Sequence, residues 1–373
     1  MTEEQNPLKQ MLQPSRIYPV VLILAMLVYW EYFRKPAEQK ARTEKQQKIE
    51  DYKTIGVIQD VEDQKFIQGL TMGTIGYNVR YYDSSNRDLR IGIDSLLESF
   101  NDMFSTYIPN SLISKFNKGE AIPANYWINK VHEASQQIYT ETGGVFDPTI
   151  KPLVSFWGFG SSPNEASAKD SSKIDSLKNL IGYNKVNLEK GHLTSYPEKK
   201  LSLDYGAIAK GYAVDLVAEY LLNKKVESYM VEIGGEIRTG KIKPEGENWT
   251  LAIEDPTTLA REVKFLIKVN NKSVATSGNY RNIRRDNITG IVYQHTIDPK
   301  IGFPVRNSLL SVTVITPDCL YADAYATALM VMGVEKAKAF ANENDLDISL
   351  MYSNDDSIEI YHSEGFKKYL LNE

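Results

Sequence analysis

The sequence predicts an α+β fold with mainly antiparallel sheets and packed helices. Segments with the two-residue alternation of strands and segments with helical periodicity follow one another without the regular spacing of βαβ units. The chain has 373 residues, of which 42% are hydrophobic and 24% charged. This balance allows a large core and excludes a globally disordered protein.

The predicted elements run from residue 68 to residue 361. Alternation predicts a strand over 68–82, and apolar residues on one helical face predict a helix over 89–104. Further helices are predicted over 127–142, 171–181, 208–222, 318–332 and 334–343. Further strands are predicted over 201–204, 228–233, 249–254, 262–270, 291–297, 309–316, 347–353 and 357–361.

Charge and composition exclude several classes of ligand. The net charge is −5, and no long Lys/Arg run lies outside the region flanking the N-terminal apolar segment, so no nucleic acid partner is expected. Cys319 is the single cysteine, which excludes an intrachain disulfide and a cysteine-based metal site. The four histidines share no metal-ligand spacing, so any metal is expected to be oxygen-ligated, as Mg²⁺ is.

The N-terminal segment 17–33 predicts a membrane anchor. It is uncharged except for Glu31 and is marginally long enough to span a bilayer. A cleaved signal peptide is the alternative, but no good small-x-small cleavage site follows directly. The predicted organisation is an N-terminal tail (1–16), a transmembrane helix (17–33), a charged stalk (34–54) and a globular domain (55–373).

Two short segments carry residues that suit an anion and a metal. The segment 201–211 predicts a strand, a glycine turn and the start of a helix, where exposed amides and Lys210 could seat an anion. Its pattern alone favours an ordinary turn with a solvated lysine. Asp323 and Thr327 lie four apart on one helix face and offer oxygen ligands to Mg²⁺, although a solvated face explains Asp323 about as well.

A histidine and two loops complete the candidate site. His295 precedes a turn at Pro299 and could accept a proton or orient a phosphoryl group, although a lone histidine is more often structural. The glycine- and aromatic-rich loops 142–148 and 155–160 could lay backbone against a flat ring, with Asp147 accepting from its polar edge. Capped turns with core aromatics are the alternative.

Taken in order, these segments resemble the ApbE family of flavin transferases from about residue 68 to residue 345. The resemblance implies an ApbE-like α+β fold, FAD as a substrate, Mg²⁺, and a Ser or Thr of a partner protein as the acceptor. The matching blocks are Met72–Thr74, Ser105–Ser111 with Ser114–Asn117, Gly143–Pro148, Trp157–Phe159, Leu203–Gly211, Ile233–Gly235, Ile253–Pro256, Ala275–Tyr280, His295–Pro299 and Ala322–Thr327.

The resemblance also assigns roles to individual residues. The metal ligands implied are Ala207, through its backbone oxygen, Asp323 and Thr327. The FAD contacts implied are Met72, Tyr107, Val145, Phe146, Asp147, Asp204, Lys210 and Ile297. The residues expected to serve catalysis are His295, Lys210 and Asp323. A phosphoryl transfer needs charge neutralisation, which Mg²⁺ and Lys210 would supply, and a base for the hydroxyl, for which His295 is the candidate.

The predicted function is that of an Mg²⁺-dependent FAD:protein FMN transferase. It would attach FMN from FAD through a phosphoester bond to a Ser or Thr of a flavoprotein subunit and release AMP. Acceptors in the family resemble Asp-x-x-Ser/Thr-Gly-Ala-Ser/Thr, as in sodium-pumping NADH:quinone reductase or Rnf-type complexes. Two alternatives are an FAD pyrophosphatase, which forms free FMN and AMP, and a non-catalytic FAD-binding protein.

The expected location is the inner (cytoplasmic) membrane, with a single span. Six Lys/Arg between Arg34 and Lys48 outnumber Lys9 and Arg16, which by the positive-inside rule favours a cytoplasmic globular domain. The family resemblance favours the periplasmic, outer face instead. We adopt the outer face as the prediction.

Overall fold

The computed structural model describes most of the predicted globular domain. The described residues are 63–160, 171–195, 201–258, 262–278, 283–285, 292–354 and 357–371. The predicted tail, anchor and stalk lie outside this set, as do residues 55–62. Within the described ranges, no helix is both long and apolar enough to cross a membrane.

Short strands and helices of moderate length make up the described chain. The strands are β1 (Gln64–Thr71), β2 (Ile75–Tyr82), β3 (Ile122–Pro123), β4 (Val186–Glu189), β5 (His192–Ser195), β6 (Tyr229–Ile233), β7 (Glu236–Thr239), β8 (Trp249–Glu254), β9 (Val263–Val269), β10 (Ser273–Gly278), β11 (Ile283–Arg285), β12 (Val292–Gln294), β13 (Ile297–Asp298), β14 (Phe303–Pro304), β15 (Leu309–Thr316), β16 (Asp347–Asn354) and β17 (Ser357–His362). The helices are α1 (Arg90–Phe104), α2 (Leu112–Phe116), α3 (Tyr126–Glu141), α4 (Lys151–Phe156), α5 (Ser171–Lys178), α6 (Ala209–Asn223), α7 (Cys319–Met332), α8 (Val334–Glu343) and α9 (Glu364–Lys367).

The central feature is an eight-stranded sheet within the described ranges, in the order β1-β2-β6-β7-β10-β15-β16-β17. Every neighbouring pair in it is antiparallel. Because hairpins and longer connections place helices on the faces of this sheet, the architecture is α+β. The predicted fold class, with its mainly antiparallel sheet, is confirmed.

Both faces of the sheet are covered. Helices α6 and α7 pack on one face, against β6, β10 and β15, and form the main core with α1. The β8–β9 ribbon and α9 supply residues such as Ile267 and Phe366 to a second core, with Ile315 of β15. Ten of the fourteen residues of α7 are buried, Asp323 among them. A charged residue in this helix, such as Asp323, therefore lies inside the protein.

The stretch 68–82 forms a hairpin rather than the single predicted strand. β1 and β2 pair directly, with Thr71 opposite Ile75. The turn between them places Met72 at φ +47° and Gly73 at φ +87°, in the left-handed region that glycine adopts most easily. The alternation continues on both sides of the turn, which is why the sequence pattern looked continuous.

The Gly234-Gly235 pair forms the turn of the β6–β7 hairpin. Ile233 pairs with Glu236 across the turn, and the two glycines have φ values of +64° and +106°. Two-residue hairpin turns of this kind require positive φ at their central positions. The turn sets Glu236 at the start of β7 with its side chain buried.

Residues 201–204 are not a strand, contrary to the sequence prediction. The side chain of Asn117 holds this segment: its Oδ1 accepts from the Leu203 amide at 2.6 Å and its Nδ2 donates to the Leu203 carbonyl at 2.9 Å. The amide of Asp204 donates to the Pro148 carbonyl at 2.7 Å. The backbone bonds that a neighbouring strand would make are thus made by a side chain and a loop.

Candidate active site

The site is built where helices α6 and α7 touch at Gly211. A Cβ atom at Gly211 would contact the carbonyl group of Cys319, with 2.7 Å to its carbon, and would lie 2.8 Å from the Cβ of Asp323. Because no side chain separates the helices, the Gly211 amide donates to Asp323 Oδ2 at 3.0 Å. Helix α6 begins at Ala209, so this amide is one of the first-turn donors that the helix itself leaves free.

Lys210, Glu236 and Asp323 form a buried charged cluster, called here the Lys210 cluster. Lys210 Nζ lies 3.3 Å from Asp323 Oδ1 and 3.3 Å from Glu236 Oε1. The Asp323 and Glu236 side chains are 2% and 5% exposed, whereas Lys210 is 24% exposed. The alternatives given from sequence, a solvated Lys210 and a solvated helix face at Asp323, are therefore excluded. Helices α6 and α7 and strand β7 each supply one residue of the cluster.

The charges in the Lys210 cluster depend on each other. Burial lowers the pKa of Lys210, but the Asp323 and Glu236 carboxylates outweigh this effect and raise its pKa above the ordinary value. Burial raises the pKa of Glu236 to about 8, although Lys210 lowers it. Lys210 is therefore a stable cation. Glu236 is a carboxylate whose ionised form needs more positive charge nearby.

Thr327 and Ala207, which the sequence predicts as oxygen ligands for a metal, lie close in the chain to members of this cluster. Thr327 is one helical turn beyond Asp323, and its Oγ1 lies 3.3 Å from Ser277 Oγ on β10. Ala207 lies in the turn that leads into α6. No group of three or more His, Cys, Asp or Glu side chains within the described ranges could hold a metal ion. A metal here would therefore have to use hydroxyl and carbonyl oxygens as well as carboxylate.

The side chain of Asp215 on α6 holds the N-terminus of helix α7 in place. Its two carboxylate oxygens accept from the amides of Cys319 and Leu320, at 2.9 and 2.8 Å, and Arg238 Nη1 lies 2.6 Å from Oδ1. Burial raises the pKa of Asp215 to about 6, although Arg238 and the two amides lower it. Asp318, the N-cap residue of α7, makes no capping bond with its side chain. A residue of another helix therefore serves as the cap of α7.

We expect Asp215→Ala to lower the free energy of unfolding by about 3 kcal/mol, because it leaves two buried amides without a partner and leaves the Arg238 guanidinium only the more exposed Asp318. Denaturant unfolding measures the loss. The matched control is Asp318→Ala, which removes the more exposed partner of Arg238 and should cost less than about 1 kcal/mol. Equal losses in the two variants would contradict the capping role of Asp215.

The loop that carries Asp147 borders a cleft of about 300 Å³. Asp147 is 8% exposed, and its Oδ1 accepts from the amide and the hydroxyl of Thr149 at 2.8 and 2.6 Å. Gly143, Gly144, Lys185 and Lys300 also line the cleft, so its walls offer backbone and cations. The Asp204–Pro148 bond joins this loop to the turn before α6.

The other predicted FAD contacts differ in exposure. Phe146 and Ile297 are 3% and 4% exposed and belong to hydrophobic cores. Met72 and Val145 are half-buried, and Tyr107 is 72% exposed. Asp204 Oδ1 accepts from the Gly206 amide at 2.9 Å. These contacts remain predictions.

His295 lies beside a separate, smaller core. Its ring centroid is 6.5 Å from that of Phe159 in an edge-on arrangement, and the preceding Tyr293 packs on Trp157 at 5.0 Å. Trp157 Nε1 donates to the Gly302 carbonyl at 2.9 Å, which fixes the turn after His295. The His295 segment therefore packs against the aromatic loop 155–160. The hydrogen bond from Asp204 to Pro148 likewise connects the turn before α6 to the loop that carries Asp147.

Sequence reasoning missed Glu236, Ser277 and Asp215 as members of the site and its support. Glu236 could have been noticed as a carboxyl group at the first residue of a strand, immediately after a glycine turn. Ser277 lies within a matching block, but nothing in its pattern indicated a contact with Thr327. Asp215 lies between the apolar residues Val214 and Leu216 in the most apolar stretch of α6, which is a signal for burial with a partner.

The fold and the site define an α+β enzyme domain with a buried lysine–carboxylate centre where two helices meet. The chain belongs to the ApbE family, whose model matches residues 72–351. Among its relatives is the FAD:protein FMN transferase of Vibrio cholerae serotype O1, 36% identical over 83% of this chain and 93% of that protein. Another is that of Escherichia coli strain K12, 30% identical over 82% of this chain and 89% of the relative.

Solved structures agree with these relatives. The flavin transferase ApbE from Vibrio cholerae matches with a TM-score of 0.72 and 35% identity, over 82% of this chain and 99% of that one. The Pseudomonas stutzeri flavinyl transferase ApbE matches with a TM-score of 0.74 and 32% identity, over 83% and 98%. The predicted family and the predicted enzyme class, a transferase, are confirmed.

Proposed function

We propose that this protein is an FAD:protein FMN transferase that forms a phosphoester between FMN and a Ser or Thr hydroxyl of a flavoprotein subunit. The hydroxyl oxygen bonds to the phosphorus of the FMN half of FAD, the pyrophosphate P–O bond to the AMP half breaks, and AMP leaves. The names of the relatives support the activity. The observation in this chain that carries it is the Lys210 cluster at the α6–α7 contact.

Mg²⁺ is the proposed metal, and the residues present fit it. The oxygen donors are hard, and the buried Oε2 of Glu236 has no hydrogen-bond partner within the described ranges, which indicates room for positive charge. The Ala207 carbonyl, Asp323 and Thr327 would hold the ion. When bound, it would offset the negative charge that develops on the pyrophosphate.

The side chains of the protein have distinct proposed roles. Lys210 stays protonated because two carboxyl groups face it. It is the most exposed residue of the cluster, so its ammonium group can offset the charge of a bound phosphate. His295 is proposed to take the proton of the acceptor hydroxyl or to orient that hydroxyl. The cleft beside Asp147 would hold part of FAD, with the side chain of Asp147 kept in place by Thr149.

The acceptor and the location are proposed from the sequence. Acceptor subunits would carry the motif Asp-x-x-Ser/Thr-Gly-Ala-Ser/Thr, as in sodium-pumping NADH:quinone reductase or Rnf-type complexes. The apolar segment 17–33 and its basic flanks support a single-span anchor in the inner membrane. The family resemblance supports a catalytic domain on the outer face.

The experiment that tests the function is the intact mass of an acceptor protein after incubation with the full-length chain, FAD and Mg²⁺. We expect the mass to rise by one FMN phosphoester. An acceptor whose motif hydroxyl is replaced by alanine is the matched control and should keep its mass, as should the reaction with EDTA. An unmodified wild-type acceptor, or a modified alanine variant, would contradict the proposal.

A further inference from the structure

The Lys210 cluster places two buried carboxyl groups around a single cation. Lys210 Nζ lies 3.3 Å from one oxygen of Asp323 and 3.3 Å from one oxygen of Glu236, and both carboxylates are almost fully buried. When both carboxyl groups are ionised, the cluster carries a net charge of −1 that Lys210 alone does not balance. A buried charge without compensation is costly, so folded proteins pair such groups or bind a counter-ion to them.

The four carboxylate oxygens of the cluster differ in whether they have a hydrogen-bond or ion-pair partner. Asp323 uses both: Oδ1 faces Lys210 and Oδ2 accepts from the Gly211 amide. Glu236 uses Oε1 for Lys210, while its buried Oε2 has no hydrogen-bond partner among the described residues. Because buried polar atoms are nearly always satisfied, this oxygen points to a ligand.

The space next to that oxygen is kept clear by a glycine. A Cβ atom at Gly234 would lie 3.6 Å from Glu236 Oε2, 3.4 Å from the Cδ of Lys210 and 2.8 Å from a methyl carbon of Ile75. Gly234 also has a φ of +64°, which the hairpin turn requires. Glu236 and Lys210 therefore border the same niche beneath the β6–β7 turn.

We propose that Glu236 is a further cation-holding residue of this site, which contacts a bound divalent cation directly or through one of its waters. A carboxylate oxygen is a hard donor, and a bound cation, unlike a neutral water, would balance the second carboxylate in its ionised form. Lys210 balances part of the carboxylate charge when no cation is bound. The inference rests on the proposed Mg²⁺ site and extends that site from α6 and α7 to strand β7.

The test is a cation titration in the absence of FAD and acceptor, with Mn²⁺ followed by electron paramagnetic resonance and Mg²⁺ by calorimetry. Glu236→Gln keeps the shape and removes the charge, and it should weaken binding by at least about tenfold. Lys210→Met removes a competing positive charge, and it should tighten binding by about three- to tenfold. Effects of opposite sign distinguish charge balance from a general loss of structure.

Glu232→Gln is the matched control, because Glu232 lies on the other strand of the same hairpin and its Oε1 accepts from the Gly235 amide. It should change cation affinity by less than about twofold, since it alters the turn without removing a charge from the Lys210 cluster. After EDTA treatment, Glu236→Gln should melt no lower than the wild type, and added Mn²⁺ should raise its melting temperature less.

Three results would overturn the inference: wild-type affinity in Glu236→Gln, an equal loss in Glu232→Gln, or a wild-type protein that binds neither cation at millimolar concentration. The titrations contain no FAD, so they are independent of FMN transfer. If transfer fails while Glu236→Gln still weakens cation binding, the proposed function fails alone. If transfer occurs while Glu236→Gln binds like the wild type, only the role of Glu236 fails.

Discussion

Asp323→Ala is expected to reduce FMN transfer by about 10³-fold or more. Asp323 is 2% exposed, faces Lys210 at 3.3 Å and accepts from the Gly211 amide at 3.0 Å, so it organises both helices of the site. Its loss removes a proposed metal ligand and one of the two carboxylates that hold Lys210 in place. The measurement is the initial rate at which FMN is attached to an acceptor protein.

Asp323→Asn separates charge from shape in the same position. The amide oxygen can still accept from Gly211, but the charge is gone, so we expect a loss of transfer close to that of the alanine variant. Both variants should remain folded, because Lys210 keeps Glu236 as a partner. Transfer at more than about a tenth of the wild-type rate in a folded Asp323→Asn would contradict the role of the charge.

Gly211→Ala is expected to lower the free energy of unfolding by about 3 kcal/mol and to reduce transfer by about 10²-fold. The added Cβ would meet the backbone carbonyl of Cys319, which cannot move aside as a flexible side chain can. The helices must separate, and this displaces Asp323 from Lys210. Denaturant unfolding and the transfer rate measure the two effects.

Gly76→Ala is the matched control for this substitution. Gly76 lies on β2, and a Cβ atom there would meet nothing within 4 Å. It should lower the free energy of unfolding by less than about 1 kcal/mol and should leave the transfer rate unchanged. If Gly211→Ala behaved in the same way, the close contact of α6 and α7 would not be what positions Asp323.

Strong local patterns predicted much of this fold. Strands β8 and β15 and helix α8 have the bounds that the sequence indicates, because each combines clear periodicity with turn or cap residues at its ends. The predictions that were wrong concern segments whose conformation is set by tertiary contacts rather than by their own sequence pattern. The segment 201–204 reads as a strand, but its backbone partners are the Asn117 side chain and the Pro148 carbonyl.

The part of the site that lies within one helix was predictable from sequence, and the part formed by separate elements was not. The pairing of Asp323 with Thr327 is visible in sequence, since residues four apart share a helix face. Glu236 joins the cluster only because the β6–β7 hairpin brings β7 beneath Lys210, and no local pattern encodes that approach. Cross-element contacts of this kind depend on the assembled sheet. These contacts determine that Asp323 and Glu236 both pair with Lys210.

The most direct test of the central claim is the ratio of AMP released to FMN bound to the acceptor in a single reaction. Transfer from FAD to a protein hydroxyl predicts equal amounts of the two products and no free FMN. AMP accompanied by free FMN and an unmodified acceptor would instead show hydrolysis by an FAD pyrophosphatase. FAD that binds but stays intact would show a flavin-binding protein without this chemistry, and either result would contradict the proposed function.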